Sequence, residues 1–417
     1  MIIFIGGEKE RMKSISKILH SKYLNETNND KAKLSRFLKR RRIELGKTLE
    51  EVSDGVCSTS YLSKIENCIV DVDESYFKML FEKLDLEYQT VVSERSKPIY
   101  EDMIKAYLLE DYKTIETKTN QAIENKSYSD TEIEILLILY NITIGSYLEA
   151  EACIKKIEVI KNTLSTEELE YLSYLKILYS FKTYQYDQIE QELETVIASV
   201  DEDSLLYFAL SELVLEYCYW TNKVVKFIEC YNKFKENKYL MIFNKIKFRH
   251  VIQRILIKMF DETVDLENEF NLVKESAGES FNDEYQFYYS IYLIKCNQLE
   301  KAYILLKQLK KDQKVLCVLA YLVNKINNMT YAVEYLNMLE QFEYHESTPF
   351  TDYIEYVRLK LEQYSYSQLY HFLKTKVLEG QQKYCCESLY QVEIQEYYSI
   401  LFELGKYKEI AKHILSK

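Results

Sequence analysis

Only 2 Pro and 8 Gly occur in 417 residues. So few breakers argue against a strand-and-turn architecture and against disorder, and they leave no Gly-rich loop to cradle a phosphate. The five His, at positions 20, 250, 345, 371 and 413, show no metal-ligand spacing. The 9 Cys are scattered and odd in number; there is no Cys-x-x-Cys pair, and only Cys385 and Cys386 are adjacent. Neither a metal centre nor a disulfide framework is expected, and the chain reads as reduced and cytoplasmic. No run reaches about 18 apolar residues, so no membrane segment is expected. The opening Met1-Ile-Ile-Phe-Ile-Gly-Gly7 is too short for a signal sequence, and Met12 is an equally good start. With no clustered His/Asp/Ser or Cys/His pattern, no enzyme activity and no cofactor are expected.

What is present is helix-forming. Hydrophobic residues make up 47% of a chain long enough for two domains or a repeat array. The net charge of −12 is unevenly spread: residues 31–69 hold nine Lys/Arg against five Asp/Glu, which makes that window +4 and the remainder −16. A small basic module on an acidic body suggests that only the module approaches a polyanion.

Within that window the punctuation is that of a helix-turn-helix. Leu34, Leu38 and Leu45 follow helical spacing over about 31–45, and Gly46 ends the helix. Thr48 with Glu51 forms a capping box, Asp54-Gly55 breaks the second helix, and Ser58 caps a third running to Glu66. Leu62 and Ile65 share one face, with Val56 placed to join them, while Thr59, Ser60, Tyr61, Ser63 and Lys64 point outward. A short polar helix end with one Lys suits a major groove. Arg36, Lys39 and Arg40 occupy the outer side of the first helix: a solvated face, or, beside such a motif, phosphate contacts. Arg42 lies between Leu38 and Leu45, is drawn inward, and needs a carboxylate, for which Glu66 is the candidate. Asp73 caps a further helix carrying Tyr76, Phe77, Leu80, Phe81 and Leu84. The expected organisation is a polar extension over 1–30, a helix-turn-helix domain over 31–87, and a linker over 88–97 ending at Pro98.

Residues 98–417 carry a recurrent pattern. A residue opening a helix is followed three positions later by a packing residue, at Tyr112, Tyr147, Tyr186, Val224, Asp261, Leu299, Met329, Tyr366 and Tyr407. Successive copies are roughly 30–41 residues apart, the period of paired-helix repeats. Gly145, Gly405, Asn297 and Asn328 mark turns, and the opening residue of each second helix is expected to pack on its partner. The fold class expected is all-α: a helix-turn-helix domain followed by a stacked-helix solenoid.

Residues 34–86 resemble the phage-repressor-like helix-turn-helix domain, with Val56-Cys-Ser-Thr-Ser-Tyr-Leu-Ser-Lys-Ile-Glu66 as its recognition segment. The turn looks one residue shorter than the common form. In this, and in the tetratricopeptide-like repeats that follow, the chain resembles the RRNPP family of peptide-pheromone-responsive regulators of Gram-positive bacteria, nearest its PlcR/Rgg and RstA types. The resemblance implies base-edge contacts by Thr59, Ser60 and Lys64 with Tyr61 adjacent, and phosphate contacts by Ser58, Ser63 and Asn67. It also implies that Arg42 and Glu66 form a structural ion pair, that a homodimer reads an inverted repeat in double-stranded DNA, and that dimerisation lies beyond residue 330. A short signalling peptide would bind the repeats, with quorum sensing, sporulation or virulence as the regulated processes. Asn244, Arg249 and Arg254, in the basic stretch 244–254, are candidates for holding peptide backbone and carboxylate; the alternative is that they balance the surrounding acids. A second function is a protein-interaction module whose repeats bind a phosphorelay response regulator or kinase.

Overall fold

The structure, a computed structural model, describes residues 30–415 apart from 71, 87, 89–98, 125–129, 162–163, 187–188, 258–265, 278–281, 343–347 and 379–386. The expected extension lies outside the described residues except for Asp30, as does the expected linker except for Tyr88. Among the described residues all regular structure is helical. The chain divides into two compact units: residues 1–182 with 188–210, and residues 183–187 with 211–417.

The first unit opens with α1 (Asp30–Glu44), α2 (Leu49–Ser53), α3 (Thr59–Glu66) and α4 (Glu74–Glu82). α2, α3 and α4 are each started by a cap that satisfies free amides. Thr48 and Glu51 form the reciprocal box, Ser58 Oγ accepts from Tyr61 N at 3.1 Å, and Asp73 accepts from Ser75 N at 2.9 Å. Gly55, at φ +72°, supplies the left-handed residue between α2 and α3. Leu38, Val52, Leu62, Ile65, Leu80 and Phe81 are fully buried, with the Phe37 and Phe81 rings 5.8 Å apart. Val56 packs at the edge of this core. Leu45 does not join it: it falls past the end of α1 and is 39% exposed, because the helix closes one residue earlier than the spacing of Leu38 and Leu45 suggests.

The same unit continues with α5 (Ile99–Leu108), α6 (Tyr112–Glu124), α7 (Asp130–Ile144), α8 (Tyr147–Ile160), α9 (Thr166–Lys182) and α10 (Ile189–Ile197), while α11 (Leu205–Trp220) crosses the boundary. The second unit contains α12 (Val224–Phe234), α13 (Asn244–Ile257), α14 (Leu266–Ala277), α15 (Asn282–Lys295), α16 (Leu299–Lys307), α17 (Gln313–Ile326), α18 (Met329–Leu339), α19 (Pro349–Leu361), α20 (Tyr366–Phe372), α21 (Glu387–Glu403) and α22 (Tyr407–Leu415). Consecutive helices pack, as α7 on α8 and α15 on α16, and so do alternate ones, as α13 on α15 and α17 on α19. Contact at both intervals is the stacking of a paired-helix array.

The repeat has a local cause. Two residues before the helices at 112, 147, 224, 299, 329 and 407, the chain takes a positive φ, at Glu110, Gly145, Asn222, Asn297, Asn327 and Gly405. At most of these the next amide reaches back to a carbonyl five residues earlier, as Asp111 N to Ala106 O and Lys223 N to Cys218 O, both 2.8 Å. This Schellman-type closure ends one helix and aims the next. Asn327, not Asn328, is the left-handed residue in its turn; Asn328 instead caps α18 through Thr330 N. Of the opening residues, Tyr186 packs as expected, buried against the Tyr217 ring at 6.4 Å, whereas Tyr112, Val224, Met329, Tyr366 and Tyr407 are exposed. One turn further on, Ile115, Ala150, Phe227 and Ala302 are fully buried, since the first residue of a helix still stands at the mouth of the turn. The copy at Asp261 lies outside the described residues.

Candidate functional site

α3 is amphipathic over little more than two turns. Its Leu62 and Ile65 are buried, and Ser58, Thr59, Ser60 and Lys64 are exposed. Lys64 makes no ion pair or side-chain hydrogen bond among the described residues. Ser58 uses a lone pair on the Tyr61 amide, which leaves its hydroxyl proton to donate elsewhere. Tyr61 departs from its neighbours: it is half-buried, with its ring edge-on to Tyr76 at 5.6 Å, and belongs to the packing of the domain. Ser63 is half-buried, and Asn67 Nδ2 donates to its carbonyl at 2.7 Å. Lys39 Nζ donates to Asn67 Oδ1 at 2.8 Å, so Asn67 spends both ends of its amide within the protein and ties α1 to the end of α3. Arg36 is half-buried on α1.

Behind this surface Arg42 meets Glu66 through two bonds, Nε to Oε1 at 2.6 Å and Nη2 to Oε2 at 2.7 Å, with a third from Nη1 to the Lys47 carbonyl at 3.0 Å. The planar fork fixes α1 against α3 and the turn before α2.

Arg40, expected at phosphates, is corrected by the structure. It is 5% exposed and forms a buried ion pair with Glu168 of α9. Two residues beyond Leu38, it is rotated by roughly 200° to the far side of α1. That side is covered: Glu44 accepts from the hydroxyl and, at 3.3 Å, the amide of Thr131 at the start of α7. α1 is therefore held on one face by the helix-turn-helix core and on the other by the first repeat helices. Burial alone would lift the Glu168 carboxyl, but Arg40 and the Ser165 amide, which donates at 2.7 Å, outweigh it and hold the group below its usual range. A partner 128 residues away leaves no mark in local spacing.

At Arg249 the structure follows the alternative in which the basic stretch of α13 balances surrounding acids. Arg249 is turned inward between Glu212 of α11, at 3.0 Å, and Glu284 of α15. Arg254 stacks its guanidinium 5.3 Å over the Tyr231 ring of α12. Five residues turn a helix by about 140°, so the two arginines serve different neighbours. Asn244 is exposed at the first turn.

Beside Arg249 lies a group that the His and Cys spacing did not reveal: Glu212, Glu216 and His250, all buried. Gln253 Nε2 donates to Glu216 Oε1 and meets Tyr288 Oη at 2.9 Å, while its Oε1 faces His250 Nδ1 at 2.8 Å. Trp220 Nε1 donates to Glu216 Oε2 at 3.0 Å. Burial drives the His250 imidazole down to about 4, so it is neutral at ordinary pH. The Glu212-x-x-x-Glu216 spacing on one helix was the available sequence signal; its histidine comes from another.

No helix among the described residues is long and apolar enough to cross a membrane. No family profile matches the chain, and no curated protein does. Among solved structures it is similar to the crystal structure of Bacillus thuringiensis PlcR in complex with the peptide PapR7 and DNA, at 17% identity over 65% of this chain and 98% of that one, with a TM-score of 0.33.

Proposed function

We propose that the chain is a sequence-specific regulator that binds double-stranded DNA as a homodimer on an inverted repeat, with a short peptide held by the repeat helices setting its affinity. The observation that carries this reading is the start of α3: a run of exposed hydroxyls and one exposed ammonium, mounted on a buried core and an Arg42–Glu66 clamp. In that frame Lys64 donates to guanine acceptors and Thr59 and Ser60 touch base edges. The Ser58 hydroxyl and Lys39 meet phosphates, with Ser63 and Asn67 shaping the end of the helix. The peptide is assigned to a cleft of about 270 Å³ lined by Glu267, Tyr289, Tyr292, Leu293, Gln298, Lys301 and Leu305. It is sized for one or two side chains and carries a charge of each sign for the peptide's ends. Within the first unit, a shift of α7 or α9 would pull on α1 through Thr131 and Glu168.

The test is chromatin capture of the tagged chain beside a Thr59→Ala, Ser60→Ala, Lys64→Ala triple variant. Discrete peaks with the parent alone support the reading and supply the operator. Absence of peaks from both sinks direct DNA reading and turns attention to protein partners of the repeats.

A further inference from the structure

The buried polar groups of the second unit impose their own proton arrangement. A carboxylate only accepts, so the Gln253 atom facing Glu216 is Nε2, and Oε1 is turned to His250. That oxygen also only accepts, so His250 Nδ1 carries the ring proton. Nε2 is left as a bare lone pair: fully buried, without a hydrogen-bond partner among the described residues, and 4.0 Å from Glu212 Oε1. An acceptor lone pair facing a carboxylate in a buried interior calls for a donor or a cation between them, and the Glu212 oxygen concerned already accepts from Arg249 Nη1 at 3.0 Å. The surrounding charge has the same sign. The carboxylates of Glu212, Glu216 and Glu284 converge on Arg249, and Lys314, 4.4 Å over the Trp220 ring, adds one further positive charge near Glu216. Three negative groups thus meet two positive ones.

We propose that Glu212, Glu216 and His250 bind a divalent transition-metal ion of the zinc type, through His250 Nε2 and one oxygen of each carboxylate. The ligand atoms already lie within 4.8 Å of one another. Bonds of about 2.0–2.1 Å in a tetrahedron set ligand atoms about 3.3 Å apart, so closure requires movement of side chains and not of helices. Glu212 and Glu216, four residues apart, share one face of α11, and His250 faces them from α13. Gln253 holds the imidazole in the tautomer that a metal ligand needs. One imidazole with two carboxylates suits zinc, cobalt or ferrous ion and leaves a fourth position open. The ion ties α11 to α13, and the inference is independent of the DNA-binding reading.

The full-length chain, stripped with a chelator, is titrated with Co²⁺ and then Zn²⁺ while visible absorption is followed. One Co²⁺ per chain, displaced by Zn²⁺, is expected, with affinity weakened by about tenfold or more in His250→Gln at unchanged far-UV circular dichroism. X-ray absorption on the zinc-loaded parent is expected to give one imidazole among oxygen ligands. Absence of a bound ion overturns the proposal. Equal affinity in His250→Gln, or sulfur in the metal shell, overturns it as well. Should His250→Gln fail to fold, the parent's absorption spectrum decides: a shell without imidazole rejects the site.

Discussion

α3 and α13 carry similar side chains to opposite ends. Both read as polar helices with cations and hydrogen-bonding groups on offer. On α3, Thr59, Ser60 and Lys64 stand in solvent because its apolar residues are gathered on one side and the helix is the outer member of its domain. On α13, neighbours pack on more than one side, α12, α14 and α15 among them; Arg249 and Gln253 are taken up by carboxylates of other helices, and His250 Nδ1 by Gln253 of its own helix. The contrast teaches that a helix's polar face becomes a binding surface only where the next helix does not claim it.

The comparison breaks most visibly at Arg249. Arg249→Ala strands Glu212 and Glu284, and losing one partner of a buried pair costs about 3–5 kcal/mol. The expected outcome is a large fall in the denaturation midpoint of the second unit, measured by circular dichroism in urea. Lys64→Ala serves as the paired control and is expected to leave that midpoint in place. Arg40→Ala is expected to destabilise the first unit by a similar amount. An Arg40→Leu, Glu168→Leu double variant that regains most of the loss would show the pair to be structural.

A carboxylate without such a partner behaves differently. Glu192 of α10 is 9% exposed, its Oε1 has no hydrogen-bond partner among the described residues, and burial raises it to about 7 despite the nearby Lys176. Between the ordinary glutamate value near 4.5 and this one, the folded state holds a proton that the unfolded state has released. Stability therefore falls as pH rises through that window and is level above it, by about 3 kcal/mol in all. Glu192→Gln should flatten this slope in urea titrations run at several pH values. An unchanged slope would mean that the carboxyl is paired or wet in solution.

Much of this was legible in the sequence, and the limits are physical. The caps at Thr48, Ser58 and Asp73 are decided within four residues, and each forms as written. The repeat starts were visible for the same reason, since the closing turn and the next helix are local. The Arg42–Glu66 pair followed from an arginine trapped between leucines inside one small domain. What escaped depended on distant chain: Glu168 beneath Arg40, Glu284 beside Arg249, and the histidine that joins two glutamates of another helix. Tyr61 was read outward because its helical position is outward, but Tyr76 takes up its ring.

On the exposed side of the comparison the expected effects are on binding and not on folding. Lys64→Ala should weaken operator affinity by about 1–3 kcal/mol and relax preference at one base position, as measured by fluorescence anisotropy on the captured operator and its single-base variants. A uniform loss across all sequences would make Lys64 a phosphate contact.

Ser58→Ala should be the mildest change and the most informative about how α3 is held. It removes the cap on the Tyr61 amide, worth about 1 kcal/mol of stability, and with it the hydroxyl assigned to a phosphate. Ser58→Asp retains the cap and adds a negative charge at the helix start, which favours the helix but opposes the DNA backbone. The expected pattern is a small stability loss with Ala, none with Asp, and weaker DNA binding in both, with Asp the weaker binder. If Asp binds as well as the parent, the start of α3 does not face the phosphates, and the exposed hydroxyls must be turned toward a different partner.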